Sequence, residues 1–318
     1  MKVSISLSAR FQPTRKKIFF NKKYHPFAVV ICRRDTLASG GYGLRNNDGE
    51  IFLQGYTETI ESTLHPYWVK QFQVKLKGPG TETKLDVHIF NKARKYDVKN
   101  SDATHAALSE DYGYGYELID SLEGISIEEM LELGQSSYRM NDKNLLHLIT
   151  ETQNLDRERG YMKLQIRGLG LKNVERGLLQ GLSDPFFEIW KSHKIGANQS
   201  AATPGVSGDA QTLIWSLCYR SNHIPNHVNP TWEPFEIDTA ILCNGDMYRD
   251  IKIVVYDWEQ SGNHRVIGNI RTRARELESR VCVHGNGDVS RALPMLSKGK
   301  SQGSLIVLKA DFIPRKAF

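Results

Sequence analysis

The chain has 318 residues, 40% of them apolar and 25% charged, with a formal net charge of +6. Two domains of ordinary size account for that length, and the balance excludes a collagen-like, low-complexity or wholly disordered chain. Mean hydropathy is -0.44, no apolar run reaches the ~18–20 residues of a membrane helix, and the opening MKVSISLSARFQ alternates polar and apolar residues where a signal peptide needs a continuous apolar stretch. The expectation is a cytoplasmic chain whose cysteines, Cys32, Cys218, Cys243 and Cys282, remain reduced, and whose Asn198-Gln199-Ser200 sequon stays idle.

Most elements read as strands. Val3, Ile5, Leu7 and Ala9 alternate, and Ala28-Val29-Val30-Ile31 forms a short apolar run; Gln71–Lys77 and Leu85–Phe90 follow. The second half repeats the pattern at Met162–Ile166, Phe186–Trp190, Leu213–Tyr219, Ile251–Tyr256 and Ser304–Leu308. Only one strong helix signal appears: Ser126 and Glu129 have capping-box spacing and lead into Met130-Leu131.

Landmarks recur as well. His25-Pro26-Phe27 matches Asp184-Pro185-Phe186, each followed by an apolar strand and a Gly/Ser-rich loop, 38–49 in one half and 196–210 in the other. His65-Pro66-Tyr67-Trp68 then matches Asn229-Pro230-Thr231-Trp232, and Ile89-Phe90-Asn91 matches Val255-Tyr256-Asp257. The two prolines lie 40 residues apart in the first copy and 45 in the second. Such agreement points to two homologous domains, 1–150 and 160–318, joined by the polar linker 151–159.

At these residues the chain resembles the C2 domain. Ser183-Asp184-Pro185-Phe186, Asn229-Pro230-Thr231-Trp232-Glu233-Pro234-Phe235 and Val255-Tyr256-Asp257-Trp258-Glu259 with Ile267-Gly268 are similar to that family's motifs. Cys218–Ser221, Gly262-Asn263-His264 and the ending Leu293–Leu308 are most similar to the tandem C2 region of copines, strongly from about 160 to 310 and weakly before; the von Willebrand A-like domain that follows in copines has no counterpart here. The resemblance implies an all-β architecture of two C2-type eight-stranded antiparallel sandwiches in tandem. It implies a calcium-dependent phospholipid-binding ancestry and a peripheral place at a membrane, the plasma membrane in particular.

Calcium takes six to eight oxygens, and its affinity follows the number of carboxylates. Carried over position by position, the second domain keeps Asp184, Asp257 and Glu259 as a residual, weak calcium site. A loop-one aspartate falls at Leu178, which has no ligand atom, and a loop-three aspartate falls at Arg265. That guanidinium is placed to pair with Asp184 or Asp257; linear spacing does not bring Glu175 in as a substitute. The first domain has His25, Phe19, Asn91 and Ala93 at the ligand positions, beside Lys92, Arg94 and Lys95. His25 has no second His or Cys at ligand spacing.

Positive charge gathers at the N-terminal end: residues 1–34 hold Lys2, Arg10, Arg15, Lys16, Lys17, Lys22, Lys23, Arg33 and Arg34 and no acid. Around Ile18, two basic clusters bracket aromatic residues, so Arg15, Lys16, Lys17, Phe19, Phe20, Lys22 and Lys23 are the candidate lipid-binding set. At a loop tip they suit an anionic bilayer; alternatively, Ile18, Phe19 and Phe20 pack inward and leave the charges solvated. The expected partners are anionic membrane lipids, with protein partners as the alternative for a C2-based adaptor. The acidic, Tyr/Gly-alternating stretch 102–120, overlapping a long loop at 92–116, reads as a recognition loop or an insertion. No P-loop, HExxH, GxSxG or Cys/His cluster is present, so neither enzyme activity nor nucleic-acid binding is expected.

Overall fold

The computed structural model describes residues 1–12, 24–36, 50–78, 81–94, 114–154, 158–175, 181–194, 213–282, 289–297 and 299–315. Two compact units emerge, one of Met1–Thr152 and one of Gln153–Lys194 with Gly208–Phe318.

In the first unit the described strands are β1 (Lys2–Arg10), β2 (Pro26–Thr36), β3 (Glu50–Tyr56), β4 (Tyr67–Lys75), β5 (Thr81–Arg94), β6 (Tyr114–Ser126), β7 (Gln135–Arg139) and β8 (Leu145–Thr152). They form two antiparallel sheets, β4-β1-β8-β7 and β3-β2-β5-β6. Alternation explains the layers: Val3, Ile5, Leu7 and Ala9 of β1 and Ala28, Val30 and Cys32 of β2 point to one shared core. Helix α1 (Ile127–Leu133) starts where the capping box placed it, with the Ser126 hydroxyl accepting the N–H of Glu129.

The second unit repeats this plan with β9 (Gly160–Leu169), β10 (Pro185–Lys194), β11 (Leu213–Arg220), β12 (Phe235–Asp238), β13 (Asp250–Asp257), β14 (Arg265–Arg273), β15 (Leu293–Ser297) and β16 (Lys300–Pro314). Here β12-β9-β16-β15 and β11-β10-β13-β14 are joined into one ladder by a single pairing, Asn269 with Leu296. The all-β architecture of paired C2-type sandwiches, expected from the resemblance, is the architecture observed.

The repeat extends to individual hydrogen bonds. Trp68 Nε1 donates to the Pro26 carbonyl at 3.4 Å, and Trp232 Nε1 to that of Pro185 at 3.3 Å. The Ala28 N–H meets the Thr57 hydroxyl at 2.8 Å, and the Phe187 N–H meets that of Ser221 at 2.9 Å. The Lys92 N–H donates to the His25 carbonyl, and the Trp258 N–H to that of Asp184, both at 3.0 Å. The motif pairs seen in the sequence therefore perform the same structural tasks in both units.

Two segments depart from the sequence reading. The arms of the loop assigned to 92–116 are strand: Lys92 pairs with Tyr116, Ala93 with Gly115 and Arg94 with Tyr114, because the β5–β6 ladder continues past the apolar run. Residues 95–113 lie outside the described residues. Glu151 and Thr152, placed in the linker, pair with Ser4 and Val3 of β1.

The face of the β3-β2-β5-β6 sheet turned away from the core is also apolar. Phe27, Val29 and Phe90 cluster there with Ile31 and Tyr116. Across the ladders from Val29, Ile31 and Phe90 stand Tyr56, Leu53 and Leu118, all exposed, and Ile51, opposite Arg33, is exposed as well.

Candidate functional site

At one end of the second unit the site is built from three chain segments. Asp184 directly precedes β10, Asp257 ends β13, and Arg265 opens β14, so antiparallel pairing sets Asp257 opposite Arg265 and Pro185. Residues 171–175, following β9, bring in Val174 and Glu175. Glu175, Asp257 and Glu259 present carboxylate oxygens within 4.8 Å of one another.

Arg265 enters this group. Its Nη2 lies 2.9 Å from Glu175 Oε2 and 3.2 Å from Asp257 Oδ2, and it also hydrogen-bonds Glu259 Oε1. Its Nη1 donates to the Val174 carbonyl at 2.9 Å. Asp257 is fully buried, and its Oδ1 accepts the Asp184 N–H at 2.8 Å. Burial raises the Asp257 pKa, and neighbouring Glu175 and Glu259 add to that rise; the Asp184 N–H and Arg265 oppose it without reversing it. The Glu175 hydrogen bond is the leading cause holding Arg265 above the usual arginine range.

Of the residues assigned to calcium, Asp257 and Glu259 thus come together. Asp184 is not in their group: its Oδ1 accepts the N–H of Asn226 at 2.7 Å. Of the two partners open to Arg265, Asp257 is the one engaged. Glu175 is the residue that linear spacing missed; Asn173 Oδ1 accepts the Glu175 N–H at 3.1 Å in a local turn that shortens the path. The donor set does not fit calcium as it stands, because a fixed cation already occupies the convergence of the carboxylates. Leu178 lies outside the described residues.

In the first unit the same position is neutral. Asn91 Oδ1 accepts the His25 N–H at 2.8 Å, as Asp257 does for Asp184, so the amide preserves the backbone link without the charge. The candidate lipid-binding residues Arg15, Lys16, Lys17, Phe19, Phe20, Lys22 and Lys23 all lie outside the described residues, as does Lys95.

Beside the carboxylate group sits an aromatic cluster. The His223 and Trp258 rings stack at 4.4 Å, and His264 meets Phe186 edge-on at 4.9 Å. His264 Nδ1 accepts the N–H of Glu259 at 3.0 Å, which requires the unprotonated nitrogen there. Burial first, then Arg220 and His223, pushes the His264 pKa down from 6.5 to about 4. The unfolded chain therefore binds this proton at a higher pH than the folded one. Stability from neutral His264 is complete above pH 6.5 and falls as pH drops towards about 4. Thermal unfolding of wild type and His264→Gln at several pH values checks this: the wild-type midpoint should drop more across that window, and parallel curves would refute it.

Sequence reading also passed over the outer face of β11-β10-β13-β14. The Lys252 ammonium lies 4.8 Å from the Trp215 ring centroid and 5.3 Å from that of Trp190, and the Arg271 guanidinium stands 5.5 Å from Trp215. The signal was available in the alternation along β10, where Phe187 and Ile189 join the core cluster and Glu188 and Trp190, also buried, fall on the other face.

A family model matches in each unit. The C2 domain family model matches twice, over residues 52–106 and 211–286. The chain carries C2 domains in tandem. Among solved structures it is similar to one titled "BON1-C2B", at 17% identity over 51% of this chain and 98% of that one, with a TM-score of 0.35. It is similar to the calcium-bound pair of C2 domains of Extended-Synaptotagmin 2, at 12% identity over 98% of this chain and 97% of that one, TM-score 0.29. A third, human GIVD cytosolic phospholipase A2, is matched at 13% identity over 99% of this chain and 33% of that one, TM-score 0.28. Among the described residues no helix is long and apolar enough to cross a membrane.

Proposed function

We propose that this is a copine-like peripheral membrane protein whose tandem C2 domains bind anionic phospholipid with little dependence on calcium, at the cytoplasmic face of the plasma membrane, and that it acts by binding rather than catalysis. The observation that carries the reading is Arg265: a fixed cation among Glu175, Asp257 and Glu259 offsets one of the three carboxylate charges, a part of what a metal-dependent C2 rim takes from calcium. Val266, which follows Arg265, and Leu182, two residues before Asp184, are both exposed and add apolar contact. Lys252 and Arg271 on their aromatic bed, and the basic segment from Arg15 to Lys23, offer further charge to phosphate headgroups.

The test is sedimentation of the full chain with vesicles of phosphatidylcholine alone or with phosphatidylserine, in calcium or in EGTA. Binding to the anionic vesicles is expected to be nearly equal in calcium and EGTA and absent from the neutral ones. No binding in either condition would end the lipid reading. The second reading, a protein-interaction adaptor, is favoured by the exposed Ile51, Leu53, Tyr56 and Leu118 on the outer face of the first unit. Capture of a protein partner that survives detergent, by a chain that ignores vesicles, would select it.

A further inference from the structure

Three carboxylate oxygens converge on one nitrogen of Arg265. Glu175 Oε2, Asp257 Oδ2 and Glu259 Oε1 all meet Nη2. A guanidinium usually meets a carboxylate as a planar fork, two N–H groups to two oxygens. Each terminal nitrogen carries only two hydrogens. Here those hydrogens go to Glu175 and Glu259. The third oxygen, Asp257 Oδ2, is therefore left without a hydrogen bond among the described residues, on a side chain that is 0% exposed. Arg265 Nε is buried without an acceptor as well. A planar donor thus fills a pocket that its own geometry cannot satisfy. A spherical charge would serve all three oxygens equally.

We infer that Arg265 is the resident cation of a latent divalent-ion pocket, and that the pocket accepts a hard divalent cation once the guanidinium is removed. With Arg265 in place, an incoming ion must displace a group held by three carboxylates and the Val174 carbonyl. Two further oxygens are occupied: Asp257 Oδ1 by the Asp184 N–H and Asp184 Oδ1 by the Asn226 N–H. Too few lone pairs remain for the six to eight oxygens calcium prefers. Removing the arginine leaves Glu175, Asp257 and Glu259 uncompensated, with their oxygens already gathered. Neither lipid nor a partner enters this inference, so it can fail while the membrane reading stands, and the reverse.

The test uses the full chain in solution, without vesicles, as wild type, Arg265→Gln and Arg265→Lys. The probes are calcium chloride, followed by calorimetry, and terbium chloride, followed by luminescence sensitised through Trp258, whose chain neighbour is Glu259. Arg265→Gln is expected to bind one calcium at least roughly tenfold more tightly than wild type. Its unfolding midpoint should fall without calcium and recover with it, whereas the wild-type and Arg265→Lys midpoints should not respond. Calcium binding by wild type as tight as by Arg265→Gln would overturn the inference. So would a folded Arg265→Gln that neither binds calcium nor is stabilised by it. Should Arg265→Gln not fold, the wild-type terbium titration still decides: saturable one-to-one uptake that Glu259→Gln removes would show that arginine does not close the pocket, and no such uptake would support closure.

Discussion

Exchanging Lys16, Lys17, Lys22 and Lys23 for glutamate is expected to abolish sedimentation with phosphatidylserine-containing vesicles. Each basic residue near an anionic surface contributes about 1 kcal/mol. Reversal replaces that attraction with repulsion of similar size, so four exchanges remove far more than the roughly 100-fold loss needed to lose binding in a sedimentation assay. The surrounding sequence has no acid to compensate: none occurs between Met1 and Arg34. Four glutamines in the same places should give an intermediate loss. Raising the salt should weaken the binding of the wild type but not that of the glutamate variant, because screening diminishes attraction in the first and repulsion in the second. Undiminished vesicle binding by the glutamate variant would acquit this segment and move the contact to the second unit, where Lys252 and Arg271 would be exchanged next.

The largest stability loss is expected from Trp232→Ala. Trp232 is 2% exposed, packs edge-on against Phe187 at 4.9 Å and donates its ring N–H to the Pro185 carbonyl. Truncation removes most of a large buried side chain and leaves a cavity that the two sheets cannot close, a combination that costs about 3–5 kcal/mol. It also leaves the Pro185 carbonyl, at the entrance to β10, without this donor. Trp232→Phe should recover most of the packing and lose about 1 kcal/mol for the hydrogen bond. Chemical unfolding followed by circular dichroism, with the transitions of the two units resolved, is the measurement. A loss below about 1 kcal/mol for the alanine variant would contradict the packing assigned to this residue. The parallel exchange Trp68→Ala should act on the other transition, since Trp68 is 1% exposed and holds the Pro26 carbonyl in the same way.

These two tryptophans show why so much of the fold was legible. Proline before a strand and tryptophan after a loop carry a specific link between them, so the recurrence of both at similar spacing marks a repeated sandwich. Among the strands that escaped notice, Leu145–Thr152, Arg265–Arg273 and Leu293–Ser297 are interior to their sheets, whereas Glu50–Tyr56, Tyr114–Ser126, Gln135–Arg139 and Phe235–Asp238 are the outermost of theirs. Burial in Glu50–Tyr56 and Gln135–Arg139 alternates poorly because one edge faces no partner among the described residues, and the ladder pairing β3 with β2 shifts register between Val30 and Ile31. Periodicity fades where one-sided packing does.

The candidate site was legible in part. Asp257 and Arg265 lie at the facing ends of two paired strands, so their meeting follows from register. The entry of Glu175 depends on the course of a turn through space, which linear spacing does not encode. The choice of Asp257 over Asp184 was likewise tertiary, since the Asn226 N–H engages Asp184. Nothing in the sequence of residues 14–23 separates a loop tip from an inward-packed segment, because basic and aromatic residues suit both.

All four cysteines are buried, and burial pushes the Cys32 and Cys243 thiols up to about 12. Maleimide chemistry at neutral pH needs an accessible thiolate, so the native protein should stay largely unlabelled while it remains folded. A single new cysteine at Leu182 or Val266, 42% and 47% exposed, would then carry a dye alone. Such a fluorophore would report directly whether the Arg265 end of the second unit leaves water when vesicles are added.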